Sequence, residues 1–506
     1  MKKLALVLAC TAGFVPGALA AVTTTDTEMM PIYRLPGMAK LDYLSMPMPD
    51  GIPTMGMIGL HYEMNLLPIS NFYTGPGIYS AVSGNQGGFF VVGLDNDYRP
   101  QLNQYMYFDS GLFVGGGGAH SASVGGGLML LPHIGLGFTL GTPYPLFNID
   151  YAYVKFPNGD IKGSTILASL VVPLDVYFVS PDNPGATYRL VGNTSQYFMG
   201  PFYQVYDPTH DVDNLVGDTQ ERFGLMGVEM GAALGDNFYA VGKASGAARG
   251  SSNGYMDLLG GLGYDWQFAS AWHFVNQVLI GTGGGGNVDT GTGILAEADT
   301  GLGWQVTQSL EPRLTVGYLK AINGNFQSRV LNLSILYHID DFSLGDGQMF
   351  AGSQSFVTHT YQVSLVNQTM FNPERNDSRN GNIQMLGFDL QQNFDPHWFM
   401  KYRVGFAYDG DDTGGMAEGA LGGGYQLTYG NWRPYADVLA GAMGGGGINT
   451  DGGAFYQTEL GLSYNFAQNL NAGISYGRMI SFEGDLDSNT LTVNIGYRFG
   501  ELQALR

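Results

Sequence analysis

Hydrophobic and polar positions alternate along most of the chain, and the alternation is clearest near its end. Apolar side chains take every second position there: Leu491, Val493, Ile495, Tyr497 and Phe499. Polar or small residues take the positions between them: Thr492, Asn494, Gly496 and Arg498. Residues 454–466 repeat the pattern. A period of two, over about ten residues between turn signals, predicts antiparallel β-strands with one apolar face.

Such strands occur in soluble β-sandwiches and in membrane β-barrels, and the tryptophans favour the barrel. We count hairpins backwards from the last strand, which we take to end in the periplasm. All five tryptophans then fall near the periplasmic ends of their strands: Trp266, Trp272, Trp304, Trp398 and Trp432. An aromatic girdle belongs at that level of a membrane barrel, whereas a sandwich gives no reason for this placement.

With this pattern the chain resembles the outer-membrane β-barrel superfamily of Gram-negative bacteria, over essentially all of the sequence after residue 20. In that superfamily the last strand carries a signal for the barrel assembly machinery. The segment "VNIGYRF" (493–499) matches that signal, although seven residues, 500–506, follow it. The resemblance implies an all-β, transmembrane, antiparallel up-and-down barrel. It also implies outer-membrane lipid, lipopolysaccharide and the assembly machinery as partners.

The sequence repeats internally. A shift of 160 residues lays "LGFD" (386–389) on "MGVE" (226–229), and "NFY" at 71–73 matches "NFY" at 237–239. We read three copies with eight strands each. The predicted units are a signal peptide, three barrel units and two linkers: 1–20 for the signal, 21–178 for unit 1, 179–339 for a linker and unit 2, and 340–506 for a linker and unit 3.

Three copies of eight strands fit either three barrels in tandem or one 24-stranded barrel. The segments 179–193 and 340–356 are much longer than the tight turns within each copy. A continuous sheet needs only another tight turn at those points, so the long segments favour three small barrels similar to the OmpA and OmpX type. One 24-stranded barrel is the alternative.

Each copy also carries a run of four glycines, at 115–118, 283–286 and 444–447. A phosphate-binding loop would have to lead into a helix, and none of these runs does. We place each run at the extracellular end of the fifth strand of its copy, where glycine permits the tight bend of a barrel rim.

Charged residues alternate with small ones on the predicted inward faces. Because an eight-stranded barrel is only wide enough for side chains to fill, we expect a lumen-facing network of paired charges in the last copy. Its predicted members are Asp389, Lys401, Arg403, Glu418, Arg433, Asp437, Glu459 and Arg498. A thinner set is predicted for the middle copy: Glu229, Lys243, Asp257, Glu297, Asp299 and His338. The weakest set is predicted for the first copy: His61, Asp109, His133 and Asp175.

Composition adds export and excludes nucleic acid as a partner. The leader "MKKLALVLACTAGFVPGALA" has the form of a secretory signal peptide, and it contains Cys10, the only cysteine, so the mature chain has no thiol. The chain carries 22 basic and 43 acidic residues. Removing the two leader lysines gives a net charge of −23, which would repel a nucleic acid.

Two loop clusters could carry chemistry. The first is the segment 206–218, in which a hydrolase could use Asp and His to activate water: Asp207, His210, Asp211, Asp213 and Asp218. With a second acidic group, Asp409, Asp411 and Asp412, these carboxylates could hold divalent cations. A solvated acidic rim is the interpretation we favour, with no catalytic residue, no metal site and no cofactor. We therefore expect a non-enzymatic structural or surface-interaction protein, or a porin-like diffusion channel or export pore if the copies form one barrel.

Overall fold

The computed structural model consists of β-strands. It describes residues 18–23, 29–49, 51–66, 69–119, 122–139, 146–182, 184–190, 193–209, 212–343, 348–349, 354–376, 379 and 381–504. The signal-peptide prediction falls mostly on residues 1–17, which lie outside this described part. Within it, no helix has the length and apolar character needed to cross a membrane.

Thirty strands, numbered in chain order, occur in the described residues. Six short ones lie outside the rings formed by the others: β1 (Ala18–Thr23), β2 (Met29–Leu35), β7 (Gln101–Asn103), β12 (Val176–Phe178), β13 (Thr187–Leu190) and β22 (Gln348–Met349). Strands β1, β2 and β12 pair into a small sheet of their own.

The first ring, which we call barrel 1, has eight strands: β3 (Gly37–Met46), β4 (Met55–Met64), β5 (Phe72–Ala81), β6 (Phe90–Tyr98), β8 (Met106–Gly118), β9 (Met129–Thr139), β10 (Leu146–Lys155) and β11 (Lys162–Pro173). Neighbouring strands pair antiparallel, and β6 pairs directly with β8. The ring closes where β11 pairs with β3, from Leu167 opposite Leu44 to Pro173 opposite Met38.

Barrel 2 repeats this arrangement with β14 (Asn193–Pro208), β15 (Phe223–Ala233), β16 (Phe238–Arg249), β17 (Met256–Gln267), β18 (Trp272–Gly284), β19 (Ile294–Trp304), β20 (Leu310–Ala321) and β21 (Gln327–Ser343). Its closing pair is β14 with β21, from Asn193 opposite Ser343 to Pro208 opposite Ser328.

Barrel 3 contains β23 (Gln354–Phe371), β24 (Ile383–Asn393), β25 (Trp398–Asp409), β26 (Ala417–Gln426), β27 (Trp432–Gly444), β28 (Ala454–Asn465), β29 (Leu470–Ser481) and β30 (Asp487–Ala504). Here β23 closes on β30, from Phe356 opposite Ala504 to Phe371 opposite Asn489. Five of the seven residues after Phe499 therefore continue the last strand.

The interior of each barrel is apolar at one end, which we call the glycine end because the glycine runs lie there. In barrel 1, Met46, Met57, Phe89 and Phe113 belong to a fully buried cluster at this end. Equivalent clusters fill barrels 2 and 3. The tryptophans lie at the opposite end, the tryptophan end. The sequence predicted small and charged inward residues, and the apolar clusters are an addition to that prediction.

The three barrels pack against one another in a cyclic pattern. The third strand of each barrel contacts the fifth strand of the next. Ser80 on β5 donates to Thr282 on β18 at 2.7 Å, and at the matching positions Gly246 on β16 faces Ala442 on β27. Phe406 on β25 likewise faces the glycine run of β8. Side chains of all three barrels meet in one apolar cluster around Phe90, Val92 and Phe406. The three copies thus form a pseudo-threefold assembly within one chain.

The glycine runs lie where main chains of neighbouring barrels nearly touch. A Cβ at Gly444 would overlap the main-chain nitrogen of Gly254 in barrel 2, and a Cβ at Gly118 would reach within 3.3 Å of Gly415 in barrel 3. Nearby loops join through the backbone, since the Gly414 N–H donates to the Gly125 carbonyl at 2.8 Å. The glycine runs therefore allow close contact between barrels. The sequence of a single copy could not reveal this reason for their presence.

At the tryptophan end, the last strand is covered by protein. Tyr497 and Phe499, predicted to lie on a free apolar face, are 4% and 5% exposed. Phe178 of β12 packs edge-on against both rings, and Leu66 of barrel 1 joins the same cluster. The outward direction of these side chains agrees with the alternation, but Phe178 and Leu66 cover them in place of lipid.

Replacing Gly444 with alanine tests the junction. The added methyl group overlaps the main chain of barrel 2, so we expect Gly444→Ala to lower the free energy of unfolding by about 1–3 kcal/mol. Gly419 on neighbouring β26 has nothing within 4 Å of its Cβ position, so Gly419→Ala is the matched control. Thermal unfolding of both variants in detergent, followed by circular dichroism, measures the difference. Equal melting temperatures would contradict the close contact.

Candidate functional site in the barrel interiors

The polar interior of barrel 3 is built around one arginine. Arg403 on β25 donates to both oxygens of Asp389 at 2.8 Å, and to Glu459 at 2.8 and 3.2 Å. Its Nη1 also reaches the amide oxygen of Gln368 at 2.9 Å. The Arg403 side chain is only 2% exposed. Two carboxylates and an amide thus surround one guanidinium, an arrangement in which each charge depends on the others.

The predicted network of eight residues comes together only in part. Lys401 is paired with Asp437 and lies 3.5 Å from Glu459, and Gln368 donates to Glu418 at 3.2 Å. With Arg403, Asp389 and Glu459, six of the eight predicted residues are thus joined, and Gln368, which was not predicted, links Glu418 to them. Arg433 and Arg498 also lie on inward-facing strand positions, but neither forms an ion pair within the described part of the chain. Both lie near the tryptophan end of their strands.

Barrel 2 holds two polar groups. Lys243 binds Glu297 at 2.9 Å and Asp299 at 2.6 Å, as the inward pattern predicted. A second group at the tryptophan end joins Arg313 to Glu311, with His273 at 2.8 Å from Glu311. His338, predicted as a member of the middle copy's inward set, also contacts Glu311. The remaining predicted carboxylates accept hydrogen bonds from neutral groups: Asp257 from Tyr206 at 2.7 Å and Glu229 from Gln277 at 2.9 Å.

The sequence missed the second group of barrel 2 for a local reason. Glu311 and Arg313 flank Pro312 at the start of β20, and a Glu-Pro-Arg segment is typical of a turn. The available signal was the spacing of Glu311 and Arg313, which are two positions apart and therefore lie on the same face of a strand. His273 directly follows Trp272, and this segment was interpreted only as part of the aromatic girdle.

Barrel 1 has the most charged interior, so the prediction that its set is weakest is wrong. Lys40 lies at the centre, with its Nζ 2.6 Å from Asp95, 2.8 Å from Asp97 and 2.9 Å from Glu63. All four side chains are essentially inaccessible to solvent. The segment "LDNDYRP" (94–100) resembles a polar turn, yet its first five residues are the end of β6, with Asp95 and Asp97 on alternate, inward positions.

The predicted histidines of barrel 1 take part in this group. His61 bridges two carboxylates, with Nε2 3.2 Å from Asp42 and Nδ1 2.9 Å from Asp95. His133 Nε2 lies 2.9 Å from Asp97. Asp175, predicted beside them, is wrong as a lumen residue: it follows β11, outside the ring, and pairs with the half-exposed Arg34. Once the chain has left a strand, its side chains no longer alternate between the inward and outward faces of the ring.

The interiors leave little empty space. The polar cavity described inside barrel 3, lined by Gln362, Asp389 and Arg433 among others, has a volume of about 20 Å³, enough for one water molecule. At the glycine end the apolar clusters fill each ring.

The loop candidates give no assembled site. His210 and Asp211, central to the hydrolase hypothesis, lie outside the described residues, and Asp207 faces Arg329 at 3.8 Å. In the second acidic group, Asp412 pairs with Arg379 at 2.6 Å and the Asp411 carbonyl accepts from Arg375 at 2.7 Å. Arginines therefore offset part of the acidic rim. Divalent-cation binding there stays a prediction.

The five tryptophans are all at the same end and are 41–57% exposed. The rings of Trp272 and Trp304 stack at 5.7 Å. Before Trp398, the turn carboxylate Asp395 accepts the backbone N–H groups of His397 and Trp398, which hold the pKa of Asp395 below its usual value. Amphipathic rings at one level of the outer surface have the arrangement of an interfacial girdle.

Removing the central cation of barrel 3 tests the importance of the network. Arg403→Gln leaves Asp389 and Glu459 without their shared partner, so we expect a loss of about 3–5 kcal/mol in the free energy of unfolding. Arg329→Gln is the control, because Arg329 and Asp207 are 72% and 51% exposed and the change should stay within about 0.5 kcal/mol. Denaturant titration of the detergent-folded variants measures both. Similar midpoints for the two would refute the network as a structural element.

Comparison with known proteins gives weak likenesses. No protein-family model and no curated protein sequence matches the chain. Among solved structures, Acinetobacter baumannii OccAB3 is similar over 92% of this chain and 99% of its own, with 11% identity and a TM-score of 0.18. The outer membrane protein OpdK of Pseudomonas aeruginosa gives 92% and 98%, 7% identity and a TM-score of 0.22. A mutant of the ferric enterobactin receptor PfeA of P. aeruginosa gives 92% and 80%, 8% identity and a TM-score of 0.29. TM-scores this low carry no argument about function.

The architecture itself assigns the location. Large apolar side chains are exposed all around the rings, as Leu41, Val278 and Ile495 illustrate at 44%, 68% and 52%. Lys40, Lys243 and Arg403 are turned inward and paired with carboxylates. A closed ring of strands with an apolar outside and a polar inside satisfies every strand hydrogen bond without water, which a lipid bilayer demands. The protein is an integral β-barrel protein of the bacterial outer membrane.

Proposed function

We propose that the protein is a non-catalytic, non-conducting component of the outer membrane, composed of three eight-stranded barrels in tandem that present a shared surface outside the cell. The single observation that carries this proposal is ring closure: β3 pairs with β11, β14 with β21 and β23 with β30. A 24-stranded pore would need β11 to pair with β14 and β21 with β23 instead.

The filling of the interiors supports a closed state. Eight strands enclose a space that side chains fill. Apolar clusters occupy the glycine end of each barrel, and buried ion pairs occupy the middle. A solute would have to break these pairs in a low-dielectric interior, where an unpaired charge costs several kcal/mol. Each barrel thus crosses the membrane with an interior that is filled by side chains.

The glycine end supplies the proposed outer surface. Loops of the three barrels interlock there: Gly87 N–H donates to the Gly291 carbonyl at 3.0 Å, and Gly414 N–H to the Gly125 carbonyl at 2.8 Å. With the tryptophan end placed in the periplasm, this interlocked face is extracellular. Its rim carries exposed carboxylates such as Asp207 and Asp412. A rigid acidic platform suits a structural or surface-interaction role.

Planar-bilayer recording tests this proposal. We expect the purified, folded protein to insert without stepwise ohmic conductance, because buried apolar side chains occupy the glycine end of each barrel and buried ion pairs occupy its middle. A diffusion porin reconstituted in the same lipid serves as the positive control, and circular dichroism of the recorded sample verifies the β-structure. Reproducible steps of porin size would contradict the proposal and favour the channel alternative.

A further inference from the structure

The outer face of barrel 1 carries two lysines directly beside each other at the glycine end. Lys155 is the last residue of β10 and Lys162 the first residue of β11, and the strand ladder pairs the two residues. Both side chains are exposed on the outside of the ring, whereas the neighbouring Val154 points inward and is fully buried. The Cβ atoms of directly opposed residues lie about 5 Å apart, so the two ammonium groups share one small region of the surface. We call Lys155 and Lys162 the lysine pair.

The lysine pair has no carboxylate partner within the described residues, where neither side chain forms an ion pair. Asp160, the acidic residue of the hairpin between the two strands, instead accepts a hydrogen bond from the Ser123 hydroxyl at 2.6 Å. Like charges directly opposite each other destabilise a pair of strands. An anion from outside the chain would remove this repulsion.

The other two barrels have a basic residue at the same position, but with acidic residues nearby. Lys320 and Arg478 lie on the seventh strands of barrels 2 and 3, each two residues after a tyrosine, as Lys155 does in barrel 1. Arg478 donates to Asp487 through Nε at 2.7 Å and through Nη2. In barrel 2 the second cation of the ladder, Arg329, faces Asp207 at 3.8 Å. Two neighbouring cations without a carboxylate are therefore a feature of barrel 1 in the described part of the three copies.

The lysine pair lies at the glycine-end edge of the lipid-facing surface. The outward positions beneath it are mostly apolar, with exposed fractions of 40–59%: Phe147, Ile149, Tyr151, Ile166 and Leu170. Phe147 and Lys155 are separated by about 27 Å along the strand, which is about 20 Å along the membrane normal at the usual strand tilt. This height is close to that of the apolar band of outer-membrane barrels. The ammonium groups thus lie at the level where the lipid headgroups begin.

We propose that the lysine pair binds a phosphate group of lipopolysaccharide in the outer leaflet. A phosphate between the two ammonium groups replaces their repulsion with charge-assisted hydrogen bonds. The hydroxyl groups of Tyr151 and Ser164 lie 2.5 Å apart below the lysines, and the one that accepts in this contact keeps its own proton free for a lipid oxygen. The acyl chains of the same lipid cover the apolar positions beneath. This site rests on the proposed function, in which the glycine end lies outside the cell.

Binding of fluorescent lipopolysaccharide to the detergent-folded full chain, measured by anisotropy, tests the site. A chelator is present throughout, so that divalent cations cannot bridge the lipid to the acidic rim. We expect Lys155→Gln and Lys162→Gln each to weaken binding about fivefold and the double variant about 25-fold, because a lysine at an anionic membrane surface contributes about that factor. Wild-type protein should bind dephosphorylated lipopolysaccharide as weakly as the double variant binds the intact lipid.

Arg478→Gln is the matched control for net charge. It removes one exposed positive charge from the same position of barrel 3, where Asp487 already neutralises that charge, so its affinity should stay within about twofold of wild type. A loss equal to that of Lys155→Gln would overturn the site by showing a response to net charge alone. Unchanged binding in the double variant, or equally strong binding of phosphatidylglycerol to the wild type, would overturn it as well.

Labelling of intact cells separates the site from the orientation on which it rests. Leu215 is 67% exposed in a loop that contacts Asn287 at the glycine end, and Leu215→Cys provides a thiol for a maleimide that cannot cross the membrane. Labelled cells together with lysine-dependent binding support the orientation and the site. Labelled cells without an effect of the lysines overturn the site alone. Unlabelled cells overturn the orientation, and the site with it.

Discussion

Ring closure is the constraint on which the rest of the structure depends. A strand in a bilayer must find a hydrogen-bonding neighbour on both sides, since no water is available to satisfy an open edge. With eight strands this demand fixes a narrow interior, which has to be filled. Everything placed inside must then be apolar or paired, and Arg403 with Asp389 and Glu459 is the result in barrel 3.

Packing of three such rings explains the glycine-rich composition. Each ring alone would expose its junction face to lipid, where a glycine run has no purpose. In the assembly, the main chain at Gly254 lies so close to Gly444 that a methyl group on residue 444 would overlap it. The cyclic contact of third strand with fifth strand makes the chain equivalent to a trimer whose subunits are covalently joined, so that no subunit can dissociate. This joined face is what the protein presents at its glycine end.

The sequence predicted the features that depend on strand periodicity and failed on those that depend on surroundings. Lys401 and Arg403 alternate with outward residues over a full strand, so their inward position was readable. The inward positions of Asp95 and Asp97 were not predicted, because a polar segment before a proline has the composition of a turn. Tyr497 and Phe499 were correctly placed outside the ring, but an apolar surface looks the same whether lipid or a neighbouring barrel covers it. The same limit applies to Arg433 and Arg498 inside the ring. Alternation predicts which face of the strand a residue lies on, but it does not predict whether a residue of opposite charge lies at the same level of the barrel.

Cysteine cross-linking across the closing seams tests the central claim most directly. Opposed outward residues are close enough for a disulfide, and the only native cysteine, Cys10, can be replaced. The pairs are Leu41 with Leu170, Tyr203 with Leu333, and Leu365 with Ile495. If each copy closes on itself, all three pairs oxidise efficiently within one chain. If the copies share one 24-stranded sheet, the two residues of every pair lie on opposite sides of an eight-strand segment, and none of the three disulfides forms.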